Sequence, residues 1–171
     1  MRAGSLDGVA AFAAFPDTEL RLLEALFVEE RVAAGTVFFR QGELATASSC
    51  SLYLVVDGEV AVEREGGDGG GVGSPRRLGP GELFGVLGLA TPIARTATCR
   101  AATHAVVGRL SRPAFDSLRE YDTRLAARFE LLLARQVVRD LRRLTVGLVG
   151  AMRTGYTSDF AAIVSRPGED G

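Results

Sequence analysis

The apolar positions of this chain change period twice. Over residues 17–28, DTELRLLEALFV, Leu20, Leu23, Leu26 and Phe27 recur at helical spacing, and Pro16 with Asp17 supplies a start signal. That pattern predicts a short amphipathic helix. From Arg31 the period shortens. The runs RVAAGTVFFRQGE, SLYLVVDGEVAVERE, RRLGPGELFG and ARTATCRAATHAVVGRLS are β-rich and broken by Gly, Pro and Asp-Gly, which predicts seven or eight short strands. Asp57-Gly58 predicts a tight hairpin turn with positive φ at both central positions. Residues 66–73 hold six glycines in eight positions and predict a mobile hairpin loop. After Arg112 the helical period returns. Pro113 opens a short helix, PAFDSLREY, and Asp122 to about Val149 reads as one long helix. Its apolar stripe is Leu125, Phe129, Leu132, Leu133, Val137, Leu141, Leu144 and Leu148, with Arg124, Arg128, Arg135, Arg139, Arg142 and Arg143 largely off it. The 22 residues from Gly150 read as a loose tail around one apolar island, DFAAIV.

Helix, strands, short helix, long helix, in that order, predict a mainly β fold with flanking α. The expected architecture is an antiparallel β jelly-roll barrel with an N-terminal helix and two C-terminal helices. The expected division is an N-terminal extension over 1–14, one domain over 15–149 that includes the long helix, and a flexible tail over 150–171. A length of 171 residues suits a single domain with its own core, and 47% hydrophobic with 24% charged residues is an ordinary globular balance. The net charge of −1 gives no general attraction to nucleic acid or to an anionic membrane, so neither is expected as a partner. All twenty basic residues are arginine. Cys50 and Cys99 lie in different motifs without a Cys-x-x-Cys, which predicts packed, reduced thiols and a cytoplasmic setting. The N-terminus has no basic region followed by a long apolar core, and no apolar run approaches the ~20 residues of a membrane span.

Catalytic and metal chemistry find no candidates. His104 is the only histidine and is expected to be structural, since one imidazole cannot build a multi-ligand metal site. Candidate chemistry concentrates in GPGELFGVLGLATPIARTATCRA. A glycine-led helix start over Phe84 to Ala90 leaves backbone N–H groups without intrahelical partners, which suits an anion. Arg95 follows ten positions after Gly85, and its planar fork can grip a phosphate through two parallel charge-assisted bonds.

These residues resemble the cyclic-nucleotide-binding domain family: protein kinase A regulatory subunits, the catabolite activator protein and cyclic-nucleotide-gated channels. The family's phosphate-binding cassette runs approximately F-G-E-L-A-L, then P-R-(T/A)-A-(T/S)-V. Here Phe84-Gly85-Val86-Leu87-Gly88-Leu89 is followed by Arg95-Thr96-Ala97-Thr98. AAGTVFFRQGE is similar to a family hairpin with Gly35 and Gly42 at its turns, and LYLVVDGEVAV to the family's L-Y-x-(I/V)-x-x-G-x-V-x-V. The resemblance covers about residues 15 to 148. It implies a non-catalytic regulatory module that binds cAMP or cGMP and relays this to a partner protein, with no other cofactor. Phe84, Gly85, Val86, Leu87, Arg95 and Thr96 are the implied ligand-binding residues. It also implies a homodimer through residues 122–149.

One departure qualifies that expectation. The family's glutamate, which accepts a hydrogen bond from the ribose 2′-hydroxyl, is replaced by Val86. A ligand hydroxyl left unpaired in a dry pocket costs ~1–3 kcal/mol. The proline before the family's arginine is also displaced, with Ala94 in its place and Pro92 two residues earlier. A second reading stays open beside the first: a nucleotide-independent interaction or oligomerisation scaffold with a decayed pocket. The family's winged helix-turn-helix needs more residues than follow Val149, so a stand-alone module is expected.

Overall fold

The structure is a computed structural model that describes residues 6–44, 46, 50–64, 75–91 and 93–164. The chain forms two compact units that part between Leu133 and Ala134.

The first unit begins with a single 3-10 turn, Ala10–Phe12, followed by α1 (Asp17–Leu26). The strands β1 (Val28–Val32), β2 (Val37–Phe39), β3 (Ser51–Asp57), β4 (Val60–Glu63), β5 (Arg76–Leu78) and β6 (Leu83–Phe84) come next. They are followed by the short helix α2 (Val86–Ala90), β7 (Thr98–Ala101), β8 (Ala105–Ser111), α3 (Arg112–Tyr121) and the start of α4 (Thr123–Val164). Eight strands match the sequence expectation. All pair antiparallel, in two sheets of four with orders β1-β8-β3-β6 and β2-β7-β4-β5. The two sheets are not hydrogen-bonded into a closed barrel, so the architecture is a jelly-roll-like pair of sheets.

Two expected hairpins prove to be something else. β3 belongs to one sheet and β4 to the other, so Asp57-Gly58 carries the chain between sheets. No residue other than glycine has positive φ among the described residues, which leaves Gly58 (φ 79°) as the single left-handed position of that turn. The Gly35 turn does the same between β1 and β2. The turn residues were legible, but local signals cannot tell a hairpin from a crossover, because both need the same reversal of direction. β4 and β5 do pair as a hairpin. The glycine-rich stretch 66–73 between them lies outside the described residues.

Strand alternation divides the apolar residues into two cores. Between the sheets lie Phe39, Tyr53, Val55, Val60, Leu78, Phe84, Cys99 and Val107, with Phe38 and Val62 packed against them. Leu52, Leu54 and Leu110 alternate with these and are buried too, because helices cover the outer face of the first sheet. The N-terminal stretch joins this second core. The Phe12 ring stacks on Phe129 of α4 at 6.3 Å, and Phe115 of α3 meets Phe129 at 5.8 Å. The buried Glu24 carboxylate accepts the Leu6 amide at 2.8 Å, which fixes the chain ahead of α1. Arg128 lies 4.9 Å over the Phe15 ring and pairs with Glu19.

The second unit is the continuation of α4. The helix runs to Val164, past the end expected near Val149. Residues 150–164, read as loose tail, are helical, because no proline interrupts before Pro167 and DFAAIV carries an apolar spacing a helix can use. Of the stripe in this unit, Val137 is half-buried and Leu141 is exposed. No helix among the described residues is long and apolar enough to cross a membrane.

A Cβ at Gly58 would stand 2.3 Å from the His104 carbonyl oxygen and 2.9 Å from Ala105 Cα, both backbone atoms that cannot yield. Gly58→Ala should therefore cost about 2–4 kcal/mol, from the left-handed conformation and the clash together. Urea unfolding followed by circular dichroism reads this directly. Ala at the solvent-facing Gly8, which shares the positive φ but has nothing within 4 Å, should cost only the smaller conformational part.

Candidate functional site

Gly85 opens the site. Its φ of 76° turns the chain out of β6 and into α2, and its missing Cβ admits the Ser51 carbonyl oxygen, 2.8 Å from where that carbon would be. The Gly88 and Leu89 amides donate back to the Gly85 carbonyl at 3.1 and 3.4 Å, so the amides of Val86 and Leu87 precede the first intrahelical bond. Val86 and Leu89 are buried, while Leu87 is exposed.

Arg95 does not lie on a strand as expected. It precedes β7 by three residues, in an extended segment with its own ladder. The Gly42 amide donates to the Arg95 carbonyl at 2.8 Å, and the Arg95 amide donates to Glu43 at 2.9 Å. Leu44 bridges Ala94 beside them, and Pro92 lies outside the described residues. The turn at Gly42 and Glu43 thus holds the arginine backbone. Its side chain turns inward. Arg95 is only 7% exposed, its guanidinium carbon sits 4.2 Å from the centre of the Phe39 ring, and Nη1 donates to the Gly85 carbonyl at 3.4 Å. A desolvated cation over an aromatic face is worth roughly 2 kcal/mol, which offsets part of the cost of burying charge.

The structure therefore brings Phe84, Gly85, Val86 and Arg95 together around the start of α2. Thr96 is exposed in the bend ahead of β7, although a strand position was expected. Rings crowd the adjoining space between the sheets. Tyr53 stacks on Phe84 at 4.9 Å, and Phe38 contacts both, at 5.2 and 5.0 Å. Burial, with Glu30 adding to it, pushes the Tyr53 phenol above its ordinary range.

Two features escaped the sequence reading. Phe39 is the ring under Arg95, and nothing in the spacing of FF pairs with a residue 56 positions later. Arg112 was read only as the start of a helix, yet it ties α3 to the far end of α2. Its Nη1 donates to the Leu89 and Ala90 carbonyls at 2.9 and 3.3 Å, while Nε donates to the Asp116 carboxylate at 2.9 Å. The last carbonyls of a helix favour a cation in this way. The cassette helix thus meets one arginine near its start and another at its end.

His104 is exposed in the turn between β7 and β8, not within a strand. It lines a cavity of about 340 Å³ with Arg31, Asp57 and Val106, at the end of the sheets away from α2. No group of metal-ligating side chains exists among the described residues. Cys50 and Cys99 are free and buried. Burial pushes the Cys99 thiol up to about 12, against an ordinary 9.0, with Arg95 opposing the shift. The folded chain thus keeps a proton that an unfolded thiol releases, and stability present below pH 9 falls as pH rises through that window. By pH 10.5 this should amount to about 1–2 kcal/mol, absent from Cys99→Ala, in urea titrations run at pH 8 and pH 10.5.

The profile of a family described as the cyclic nucleotide-binding domain matches residues 29–122. Among solved structures, the catabolite activator protein of Thermus thermophilus is 29% identical with a TM-score of 0.68. The match covers 83% of this chain and 62% of that one, so the chain spans less than two thirds of that protein. The N-terminal domain of a transcriptional regulator from Streptomyces coelicolor A3(2) is 30% identical with a TM-score of 0.63, over 81% of this chain and 93% of that one. The regulatory domain of Toxoplasma gondii PKA, solved with cAMP, shares the fold at 22% identity and a TM-score of 0.63, over 80% and 48% of the two chains. No curated protein matches the chain in sequence.

Proposed function

The chain belongs to the cyclic nucleotide-binding domain family, and from that premise we propose that it is a non-catalytic regulatory module that binds a 3′,5′-cyclic nucleotide, cAMP or cGMP, through the pocket at α2. The observation that carries this reading is the buried guanidinium of Arg95, turned inward onto Gly85 rather than out to water. In this reading the phosphate meets Arg95 and the Val86 and Leu87 amides, and Phe84 and Gly85 shape the turn beneath it. Thr96, exposed beside the arginine, is assigned in this reading to the base, as at the matching position of some family members. Ribose recognition is weak, because Val86 offers no acceptor. Ligand binding alters α2, and Arg112 passes the change to α3 and so to a partner protein. Such a relay can be no stronger than the difference in ligand affinity between its two states.

The domain in this reading spans 15–149, after an extension over 1–14 and before a segment over 150–171, and works in the cytoplasm. It self-associates through residues 122–149. In support, Leu131, Val138 and Leu141 are 51%, 55% and 61% exposed along that stretch. A specific observation favours the second reading, a nucleotide-independent scaffold: the rings of Phe38, Tyr53 and Phe84 occupy the space beside the cassette.

Calorimetry with cAMP and cGMP separates the two. The sensor reading expects micromolar binding that falls at least a hundredfold in Arg95→Ala, because a phosphate loses its charge-assisted pair. Val86→Glu should tighten binding roughly tenfold or more by restoring an acceptor for the ribose hydroxyl. Silence up to millimolar nucleotide in all three proteins supports the scaffold. By light scattering, Leu141→Glu should convert a dimer to a monomer, and an unchanged mass would sink the proposed association.

A further inference from the structure

Neighbouring residues of a regular strand point to opposite faces, yet Phe38 and Phe39 of β2 both set their rings in the core between the sheets. The register shows how. Val37 stands opposite Arg100 and Phe39 opposite Cys99, so two steps along β2 answer one along β7. An extra residue of this kind bends its strand and re-aims a side chain. The ring of Phe39, so aimed, meets both Gly85 and Arg95. Its Cε1 lies 3.4 Å from where a Cβ on Gly85 would be, and the Arg95 guanidinium carbon sits 4.2 Å from its centre. The Gly42 amide and the Glu43 carbonyl hold the backbone of the same arginine. Strand β2 and the turn that follows it thus hold Arg95 at both ends, by its main chain and by its cation.

We propose that Phe39 is the positioning residue for Arg95: set against Gly85 by the irregular register of β2, its ring fixes where the guanidinium rests, and so where an anion meets it. The inference rests on the reading of Arg95 as the phosphate ligand. Phe39 acts through the arginine and is assigned no contact with the ligand. The face of a ring attracts a cation yet brings no negative charge with it. Such an anchor does not compete for the charge that a phosphate needs, as a carboxylate in its place would. Two parallel bonds to phosphate depend on the plane and reach of the fork, and a guanidinium released from its ring loses both.

Fluorination tests this with little change of shape, because fluorine draws charge off the face of the ring. Mono-, di- and trifluorinated phenylalanine are placed at position 39, in wild type and in Arg95→Ala. Affinity for cAMP or cGMP should fall stepwise along the series, by roughly fivefold at the trifluorinated ring. Without ligand, that ring should lower Tm by roughly 2–6 °C beside Arg95, and by less than about 1 °C beside alanine. In proton NMR spectra the side-chain N–H of Arg95, assigned by its loss in Arg95→Ala, should lie upfield of the other arginines through the ring current. In Phe39→Leu it should return to their range. Equal Tm losses in both backgrounds, or an Arg95 signal unmoved by Phe39→Leu, overturn the inference. Wild-type affinity along the whole series, beside a loss in Arg95→Ala, overturns it too. If wild type binds neither nucleotide, the sensor reading falls, and the arginine signal with the melting pair still decides whether Phe39 sets the place of Arg95.

Discussion

A guanidinium cannot shed its charge, so a fold that buries one must surround it with groups that answer it. Arg95 and Glu24 are the two buried charged side chains among the described residues. Glu24 has an internal task, since it accepts the Leu6 amide. Groups that answer Arg95 come from two separate stretches, the ring of Phe39 on β2 and the carbonyl of Gly85 at the start of α2. Each requires the two sheets to be closed upon one another with α2 seated between β6 and β7. The position of this one cation therefore summarises the packing of the whole jelly roll.

How far the sequence revealed this can be judged residue by residue. The elements themselves were plain, because turn glycines and the switch between periods are local signals. Gly35, Gly42, Gly58 and Gly85 all take the positive φ that their contexts suggested. Sheet membership was not plain. The dipeptide at 57–58 reads as a hairpin whether its strands pair or part, and only long-range pairing decides. The end of α4 was also missed, because the small and polar residues from Gly150 onward suggested a tail where the helix continues to Val164.

The site divides in the same way. The ten-residue step from Gly85 to Arg95 marked the cassette, and the structure joins those two residues. The surroundings of the arginine came from elsewhere in the chain. Phe39 reaches it only because β2 pairs with β7, with Phe39 opposite Cys99. Arg112 shows a second such case, since its position ahead of Pro113 suggests helix initiation while its side chain serves a different helix altogether.

Three of the six passages between the sheets, the short ones over 33–36, 58–59 and 102–104, lie at one end and are bound to each other. Gly35 and Thr36 exchange bonds with Ala101, Glu59 receives the Ala102 amide, and Gly58 presses on His104. That end behaves like the spine of a book. The passages at the opposite end, over 40–50 and through α2 over 85–97, are longer and hold the sheets less closely. Any breathing of the roll is therefore felt first where a small anion would enter.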